Sequence, residues 1–203
     1  LSYLNMIRKI DDAVRSGDSQ FWIYGGLAVD AYDGGRITRS HENVNGAVTE
    51  ENLDVIIEVL ESMGLSVEEV EDSVTYKGRK IKFTNLEATK DPDMEIYVIE
   101  MQPITKDEQV VAYRFHDPRH FTSMVKIGSE HLSAEYRITL EGVEFSTFSP
   151  EAIYISQRLG TFHANGSSGS DGKQFLHLLD VERMKEVLDP KKLVELDATA
   201  NIF

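Results

Sequence analysis

Hydrophobic positions in the first part of the chain alternate between helical spacing and short continuous runs. Apolar residues recur every three or four positions over residues 3–16, which predicts an amphipathic helix. Residues 21–24 form an aromatic and β-branched run that predicts a buried strand. The pair Gly25-Gly26 follows at once, and residues 27–32 have the pattern of a short helix. The chain is therefore predicted to begin as helix, strand and helix.

The middle of the chain is rich in strand-like segments. A second strand is predicted over residues 43–48, and a helix with one apolar stripe follows from Thr49 to Met63. Further strands are predicted over residues 65–70, 73–76, 80–84 and 94–101, with Pro103 closing the last of them. Residues 110–148 are mostly strand-like, and a hairpin is predicted between residues 136–140 and 143–148.

The last quarter of the chain is predicted to be helical. Residues 149–151 combine a capping serine, a proline and an acid, which is typical of a helix start. A polar loop over residues 164–172 separates this helix from an amphipathic helix over residues 175–188. We expect a core of residues 1–148 with a helical segment, residues 149–203, packed on it. The element order predicts an α+β fold in which helices cover one side of a mixed sheet.

Composition and charge narrow the class of partner. The 203 residues are 41% hydrophobic and 28% charged, which predicts an ordinary packed core. A net charge of −14 repels polyphosphate backbones, so we expect no general binding of nucleic acid. The same charge either attracts cationic small molecules or serves solubility alone. The chain has no cysteine, no long apolar run and no signal-peptide pattern, so we expect a cytoplasmic protein without a membrane partner.

The stretch from Trp22 to Val48 carries the chemistry. Gly25 and Gly26 directly follow a predicted strand, where the absence of a Cβ lets backbone N–H groups approach a nucleotide phosphate. An ordinary turn between strand and helix is the alternative for these glycines taken alone. Asn43 and Asn45 lie two apart on a predicted strand, so their side chains are expected to point to the same face.

Together with Ala28-Val29-Asp30 and Thr38-Arg39-Ser40-His41, these features resemble the minimal nucleotidyltransferases of the polymerase-β superfamily, of the aminoglycoside and lincosamide resistance type. The resemblance implies a nucleotidyltransferase fold that binds a nucleoside triphosphate with Mg²⁺. It also implies transfer of the nucleoside monophosphate to a hydroxyl of a small, cationic acceptor such as an aminoglycoside- or lincosamide-like antibiotic. Arg39, His41 and the two glycines would then bind the nucleotide.

The resembling family holds its metal with two acids one residue apart on a strand and a third on a neighbouring strand. The first two positions are Asn43 and Asn45 here, which offer carbonyl oxygens but no charge. The resemblance places the third at Glu100, so that Asn43, Asn45 and Glu100 become the catalytic and metal-binding positions. Glu95 is one residue out of phase on that strand, and Glu42 points away from Asn43, so neither is expected to substitute.

The two asparagines leave several explanations open. The chain is a natural degenerate member that binds without transfer, an engineered acid-to-amide variant, or an enzyme rescued by Glu42 and Glu100, which we rank lowest. Two functions therefore remain: transfer of a nucleoside monophosphate, or a noncatalytic nucleotide- or partner-binding regulatory module on the same fold.

Other polar residues have competing interpretations. Asp30 is expected to be a structural hydrogen-bonding residue, and His41 is expected to hold the loop before the strand. Arg39 either contacts phosphate or is a surface arginine. The acidic run over residues 68–72 is a solvated face or lines an acceptor cleft. The remaining histidines lack the spacing of a zinc site: His116, His120, His131, His163 and His177.

Overall fold

A computed structural model of the protein describes residues 3–16, 20–90, 94–105, 108–114, 122–133, 135–164 and 171–200. The elements lie in the order α1 (Tyr3–Ser16), β1 (Phe21–Tyr24), α2 (Gly26–Tyr32), β2 (Asn43–Thr49), α3 (Leu53–Ser62), β3 (Ser66–Tyr76), β4 (Arg79–Lys90), β5 (Met94–Thr105), β6 (Glu108–Arg114), β7 (Thr122–Gly128), β8 (Arg137–Leu140), β9 (Val143–Ser146), α4 (Pro150–Ala164), α5 (Asp171–Val187) and α6 (Pro190–Ala200). Short 3₁₀ turns lie at Glu50–Asn52 and Ser129–His131.

A seven-stranded mixed sheet organises the molecule. Five strands follow the order β1-β2-β5-β4-β3, and β6 and β7 extend the sheet from the second half of β5. Only β2 and β5 run parallel among the described pairs. The hairpin β8-β9 forms a separate sheet, and its turn has positive φ at both Glu141 and Gly142, as in the two-residue turns that match strand twist.

Helices cover both faces of the large sheet. Side chains alternate along a strand, so β2 and β5 present Val44 and Val98 to one face and Ala47 and Ile99 to the other. The first face packs against α1 and α3. The second packs against α4 and α5 and includes Trp22 of β1. The α+β fold is confirmed, but the prediction that helices cover one side only is wrong.

The strands are longer than their hydrophobic patterns predict. The predicted strands over residues 65–70 and 73–76 are one strand, β3, and residues 80–84 are the first part of β4. Pro103 does not close β5, because it pairs with Gln109 of β6 beside an irregularity in the register. Proline is tolerated there because a strand beside a bulge does not need every backbone N–H.

The C-terminal part is helical, as predicted, with shifted boundaries. Helix α5 begins at Asp171 rather than at residue 175, and α6 was not predicted, although Pro190 stands at its first position. Within the described ranges, no helix is long and apolar enough to span a membrane. The division of the chain at residue 148 stays a prediction. Two other predictions lie wholly or mostly outside the described residues: the turn over 116–120 and the loop over 164–172.

Candidate active site

A cavity of about 230 Å³ lies between the sheet and the C-terminal helices. Its floor is the sheet face that carries Ala47 and Ile99, together with the end of β1. Five polar side chains contributed by β2, β5 and β4 line this floor: Asn43, Asn45, Tyr97, Asn85 and Glu87. Helices α4 and α5 form the opposite wall. The cavity therefore contains the predicted pair of same-face polar residues on β2.

Asn43 and Asn45 contact each other on this floor. Nδ2 of Asn45 donates a hydrogen bond to Oδ1 of Asn43 over 3.2 Å. The β5 residues in register with them are Glu95 and Tyr97, respectively. Because in-register residues of neighbouring strands share a face, Glu95 lies on the face of Asn43. The prediction that Glu95 is out of phase is therefore wrong.

Glu100 lies on the other face of the sheet. Its register partner is Val48, which packs towards α1 and α3. Glu100 is buried there and accepts hydrogen bonds from the Thr84 backbone N–H and from Nε2 of Gln102. Burial raises the pKa of Glu100, although these two hydrogen bonds act to lower it. The prediction that Glu100 shares a surface with Asn43 and Asn45 is wrong, because the two asparagines and Glu100 alternate to opposite faces.

The asparagine pair on this floor does not by itself fit a magnesium site. Mg²⁺ binds through one or two carboxylates in a near-ideal octahedral shell. Asn43 and Asn45 are neutral and hydrogen-bonded to each other, and the carboxylates on this face are Glu95, in register with Asn43, and Glu87, in register with Tyr97. Among the described residues, no three Asp, Glu, His or Cys side chains lie close enough together to hold a metal ion.

Gly25 is required by both its backbone conformation and its neighbour. Its φ of 75° and ψ of −154° lie in a region that is essentially restricted to glycine. A Cβ at this position would lie 2.8 Å from Nδ2 of Asn45. Gly25 thus lets the end of β1 approach Asn45 at the edge of the cavity.

Gly26 makes room for a different group. A Cβ at Gly26 would lie 2.5 Å from Nη2 of Arg39 and 2.9 Å from Cε1 of His41. The Arg39 guanidinium therefore lies against the backbone at the start of α2. The nucleotide-binding role of Gly25, Gly26, Arg39 and His41 stays a prediction.

Asp30 is the centre of a buried polar network behind these glycines. It accepts hydrogen bonds from the backbone N–H of Thr38 at 3.2 Å and from Oγ1 of Thr38 at 2.7 Å. Nε2 of His41 and Nη2 of Arg183 lie 2.7 Å and 2.8 Å from its carboxylate oxygens. Burial alone would raise the pKa of Asp30, but the hydrogen bonds from His41, Thr38 and Arg183 outweigh it and hold the pKa well below its usual range. Asp30 and His41 have the structural roles expected of them.

Arg39 connects this network to α5. Its Nη2 lies 2.8 Å from Oδ2 of Asp180, and its Nη1 lies 3.3 Å from Nδ1 of His41. A guanidinium can only donate, so Nδ1 of His41 accepts and Nε2 carries the proton that is donated to Asp30. Arg39 is therefore an internal ion-pairing residue rather than a surface arginine.

The helical wall contributes residues that the sequence did not single out. Nδ1 of His177 on α5 lies 2.6 Å from Oε1 of Gln157 on α4. Gly160 allows this approach, since a Cβ there would lie 2.7 Å from the His177 ring. On the floor, burial and the Glu95 carboxylate raise the pKa of Tyr97 to about 12, so its phenol stays protonated at neutral pH. The acidic run over residues 68–72 lies on the edge strand β3 and does not line the cavity.

The sheet order, the glycine step between β1 and α2 and the same-face pair on β2 define a nucleotidyltransferase fold of the polymerase-β type. The chain belongs to the aminoglycoside-2''-adenylyltransferase family, whose model matches residues 6–129. No curated protein matches the chain significantly.

Solved structures with the same fold cover almost the whole chain. The crystal structure of ANT(2'')-Ia with adenylyl-2''-tobramycin has a TM-score of 0.66 and 17% identity, over 98% of this chain and 96% of that one. The solution structure of ANT(2'')-Ia has a TM-score of 0.62 and 18% identity, over 97% and 89%. The lincosamide adenylyltransferase LnuA with lincomycin bound has a TM-score of 0.53 and 14% identity, over 91% and 97%. At these identities the similarity shows the fold.

Proposed function

We propose that the protein is a nucleotidyltransferase of low activity that transfers a nucleoside monophosphate from a nucleoside triphosphate to a hydroxyl of a small molecule. The observation that carries this proposal is one cavity lined by Gly25, Asn43 and Asn45 in a chain of the aminoglycoside-2''-adenylyltransferase family. ANT(2'')-Ia and LnuA, which share the fold, were solved with adenylyl-2''-tobramycin and with lincomycin. An aminoglycoside- or lincosamide-like antibiotic is therefore the acceptor class to test first.

The transfer forms one bond to phosphorus and breaks another. The acceptor oxygen forms a bond to the α-phosphorus, and the bond from that phosphorus to the oxygen bridging to the β-phosphate breaks. Pyrophosphate leaves with the electron pair of that bond, and the hydroxyl proton passes to water. This chain's own contribution is to bind and orient: Gly25 leaves the edge of the cavity open, and the helical wall around Gln157 and His177 limits the access of water.

The low activity follows from the two amides. The resemblance to resistance-type nucleotidyltransferases implies carboxylates where this chain has Asn43 and Asn45, and each amide would then remove one negative charge from the place where a magnesium-bound triphosphate would be held. No step of the reaction in this chain is assigned to a metal, because the described residues hold no group of three acidic, histidine or cysteine ligands.

The decisive experiment restores both acids. We expect Asn43→Asp/Asn45→Asp to raise the rate of pyrophosphate release, from ATP or GTP with tobramycin or lincomycin in Mg²⁺, by about a hundredfold. The matched control adds Glu100→Gln to the double variant. Because Glu100 lies on the opposite face, the gain should persist. A double variant that binds both substrates but gains no activity would contradict the proposal.

A noncatalytic nucleotide-binding module is the second candidate. It is favoured by the hydrogen bond between Asn45 and Asn43, which occupies the two side chains with each other. Calorimetric titration of ATP and GTP with and without Mg²⁺ tests this candidate. A module of this kind binds with an affinity that does not depend on the metal and releases no pyrophosphate.

A further inference from the structure

Strand β3 forms an open edge of the large sheet. It is 11 residues long and stands last in the order β1-β2-β5-β4-β3, and no strand of the described residues pairs with its outer side. An edge strand presents unpaired backbone N–H and C=O groups to any strand that approaches it, and folded proteins block such edges with charged side chains. The distribution of charge along β3 therefore determines where a partner strand can pair with it.

The charges of β3 block only its first half. Four acids lie in residues 68–72, whereas residues 73–76 carry no charge. Val74 and Thr75 in the uncharged part are β-branched, which favours strand pairing. A basic turn follows, because residues 77–82 contain four basic residues and no acid. Along the chain the edge is thus acidic, then uncharged, then basic, and its uncharged part is open to a second strand.

The outward-facing backbone groups belong to alternate residues of β3. The turn Lys77-Gly78 has positive φ at both residues, as in two-residue hairpins, so the two residues that flank it exchange backbone hydrogen bonds. Counting back from that pair in the unbroken register, Ser73 and Thr75 direct their N–H and C=O groups away from β4. The N–H of Ser73 accordingly donates to Oδ1 of Asp72 over 2.6 Å. A carboxylate oxygen already accepts the hydrogen bond that the carbonyl of a partner strand would accept.

We propose that two copies of the chain pair with each other along the second half of β3, antiparallel and about a two-fold axis at Val74. A two-fold pairing is self-complementary, so each residue meets the one that lies equally far on the other side of the axis. Ser73 then exchanges backbone hydrogen bonds with Thr75 of the second copy. Glu71 lies opposite Lys77 of the second copy, and the uncharged residues of both copies lie between these two charge pairs.

The charge pattern selects both the partner and the register. An acidic, uncharged and basic edge is complementary to itself when a second copy runs antiparallel to it. An axis at Glu71 or Asp72 would instead place two carboxylates directly opposite each other, which is destabilising. The net charge of −14 opposes association of two copies, but physiological salt screens charges that are more than about 8 Å apart. The charge pairs next to the axis therefore dominate.

The interface is small, and it places the two cavities on one side of the dimer. About seven residues of each copy take part, over residues 71–77, against about 20–30 a side in a standard interface, so we expect a weak dimer with a Kd of about 10–100 µM. The two-fold axis of an antiparallel strand pair is perpendicular to the sheet. The sheets of both copies therefore join into one, and both cavity floors lie on the same face of it.

A single introduced thiol tests the register, because the chain has no cysteine. Val74→Cys places two thiols opposite each other at a pair without mutual backbone hydrogen bonds, where the Cα atoms are about 4.5 Å apart and a disulfide can form. Val70→Cys is the matched control, since Val70 lies on the same face of β3 and is also half-buried. In the dimer its counterpart lies eight positions along the strand, about 27 Å away.

The two cysteine variants are oxidised with diamide at a concentration near the expected Kd and separated on a non-reducing gel. We expect Val74→Cys to give at least about tenfold more disulfide-linked dimer than Val70→Cys. Equal yields from the two variants overturn the proposed register.

Sedimentation velocity of the full chain, at physiological salt, tests the backbone pairing. Thr75→Pro removes an outward-facing N–H, which an edge strand tolerates, so it should leave the chain folded and weaken dimerisation at least about tenfold. Glu69→Pro is the matched control, because its N–H also faces outward but lies beyond the paired residues. Dimerisation of this control should stay within about twofold of the wild type. A folded Thr75→Pro chain that dimerises as tightly as the wild type overturns the inference.

A charge swap provides a second route that leaves the backbone intact. Glu71→Lys or Lys77→Glu alone creates two like-charge contacts in the dimer, and each should weaken dimerisation about tenfold. Both changes together should restore the dimer. A combined variant that stays as weak as the single variants counts against the pairing of Glu71 with Lys77.

The inference does not depend on the proposed function. A wild-type chain that stays monomeric up to about 1 mM overturns it and leaves the edge to a strand of a different protein. Nucleotide binding and pyrophosphate release are measured separately, so neither result changes the outcome of the dimerisation tests.

Discussion

Asn45 donates a hydrogen bond to Asn43 over 3.2 Å, so two neutral amides lie side by side on the floor of the cavity. Carboxylates at the same positions would repel each other. We expect Asn43→Asp/Asn45→Asp to lose about 1–2 kcal/mol of unfolding free energy in EDTA, since water screens much of the ~4 kcal/mol expected at an effective dielectric of 20. Thermal unfolding with and without Mg²⁺ measures this loss and its recovery by the metal. If Mg²⁺ stabilises the wild-type protein against thermal unfolding as much as it stabilises the double variant, the prediction is contradicted.

The buried Asp30 carboxylate should make the free energy of unfolding depend on pH in the acidic range. Burial opposes ionisation, but His41, Thr38 and Arg183 together hold the folded-state pKa below the unfolded value of about 3.9. Asp30 therefore contributes stability that is fully present above about pH 5 and is lost as the pH falls towards the folded-state pKa. Asp30→Asn should cost about 3–5 kcal/mol at pH 7, and the difference from the wild type should shrink below about pH 3. Urea unfolding of both proteins across this pH range measures the difference in unfolding free energy. A difference that does not vary with pH would refute the prediction.

The pairing of Arg39 with Asp180 should be a strong coupling. These residues lie 141 positions apart in the chain, and their side chains are 24% and 2% exposed. We expect a double-mutant cycle with Arg39→Met and Asp180→Asn to give a coupling free energy of about 1–3 kcal/mol. The exposed pair Lys185 and Glu182, at 2.7 Å, is the control and should give about 0.3–0.5 kcal/mol. Similar values for both cycles would mean that burial does not strengthen the first pair.

Alanine variants of Gly25 and Gly34 distinguish two effects of an added methyl group, namely backbone strain and overlap with a neighbouring side chain. Both have positive φ, 75° and 95°, but a Cβ at Gly25 would lie 2.8 Å from Asn45 whereas a Cβ at Gly34 would meet nothing within 4 Å. Gly34→Ala should cost about 1 kcal/mol through backbone strain. Gly25→Ala should cost at least about 1 kcal/mol more, because its backbone region is essentially restricted to glycine and the added methyl group also displaces the Asn45 side chain. Chemical denaturation of the two variants provides the comparison, and equal losses would exclude a role for the contact.

The local elements could be predicted from sequence because each depends on nearby residues. The apolar stripe of α1 and the run that forms β1 determine their own secondary structure, and Glu141-Gly142 determines a tight turn. The expectation for Glu100 failed because it depended on which face of β5 each side chain occupies. That face is set by the register with β2, where Asn43 pairs with Glu95, and one residue of difference reverses it.

The remaining part of the candidate site had no sequence signal. Asn85 lies inside a strand of ordinary composition, and it becomes notable only because β4 pairs with β5 on the cavity side. Gln157 and His177 meet because α4 packs against α5 at Gly160. These side chains are brought together by tertiary packing, so no sequence motif predicts their proximity.

The ion pairs that join α2 and the following loop to α5 restrict how this chain can recombine with its relatives. Asp30 pairs with Arg183, and Arg39 pairs with Asp180, so each pair has one member on either side of the β8-β9 hairpin. A chimaera that took its first half from one parent and its last helices from another would inherit one carboxylate and one guanidinium from each. Unless both parents carry the same signs at these places, the hybrid would bury unmatched charges, so exchanges within the family should be tolerated only between charge-compatible halves.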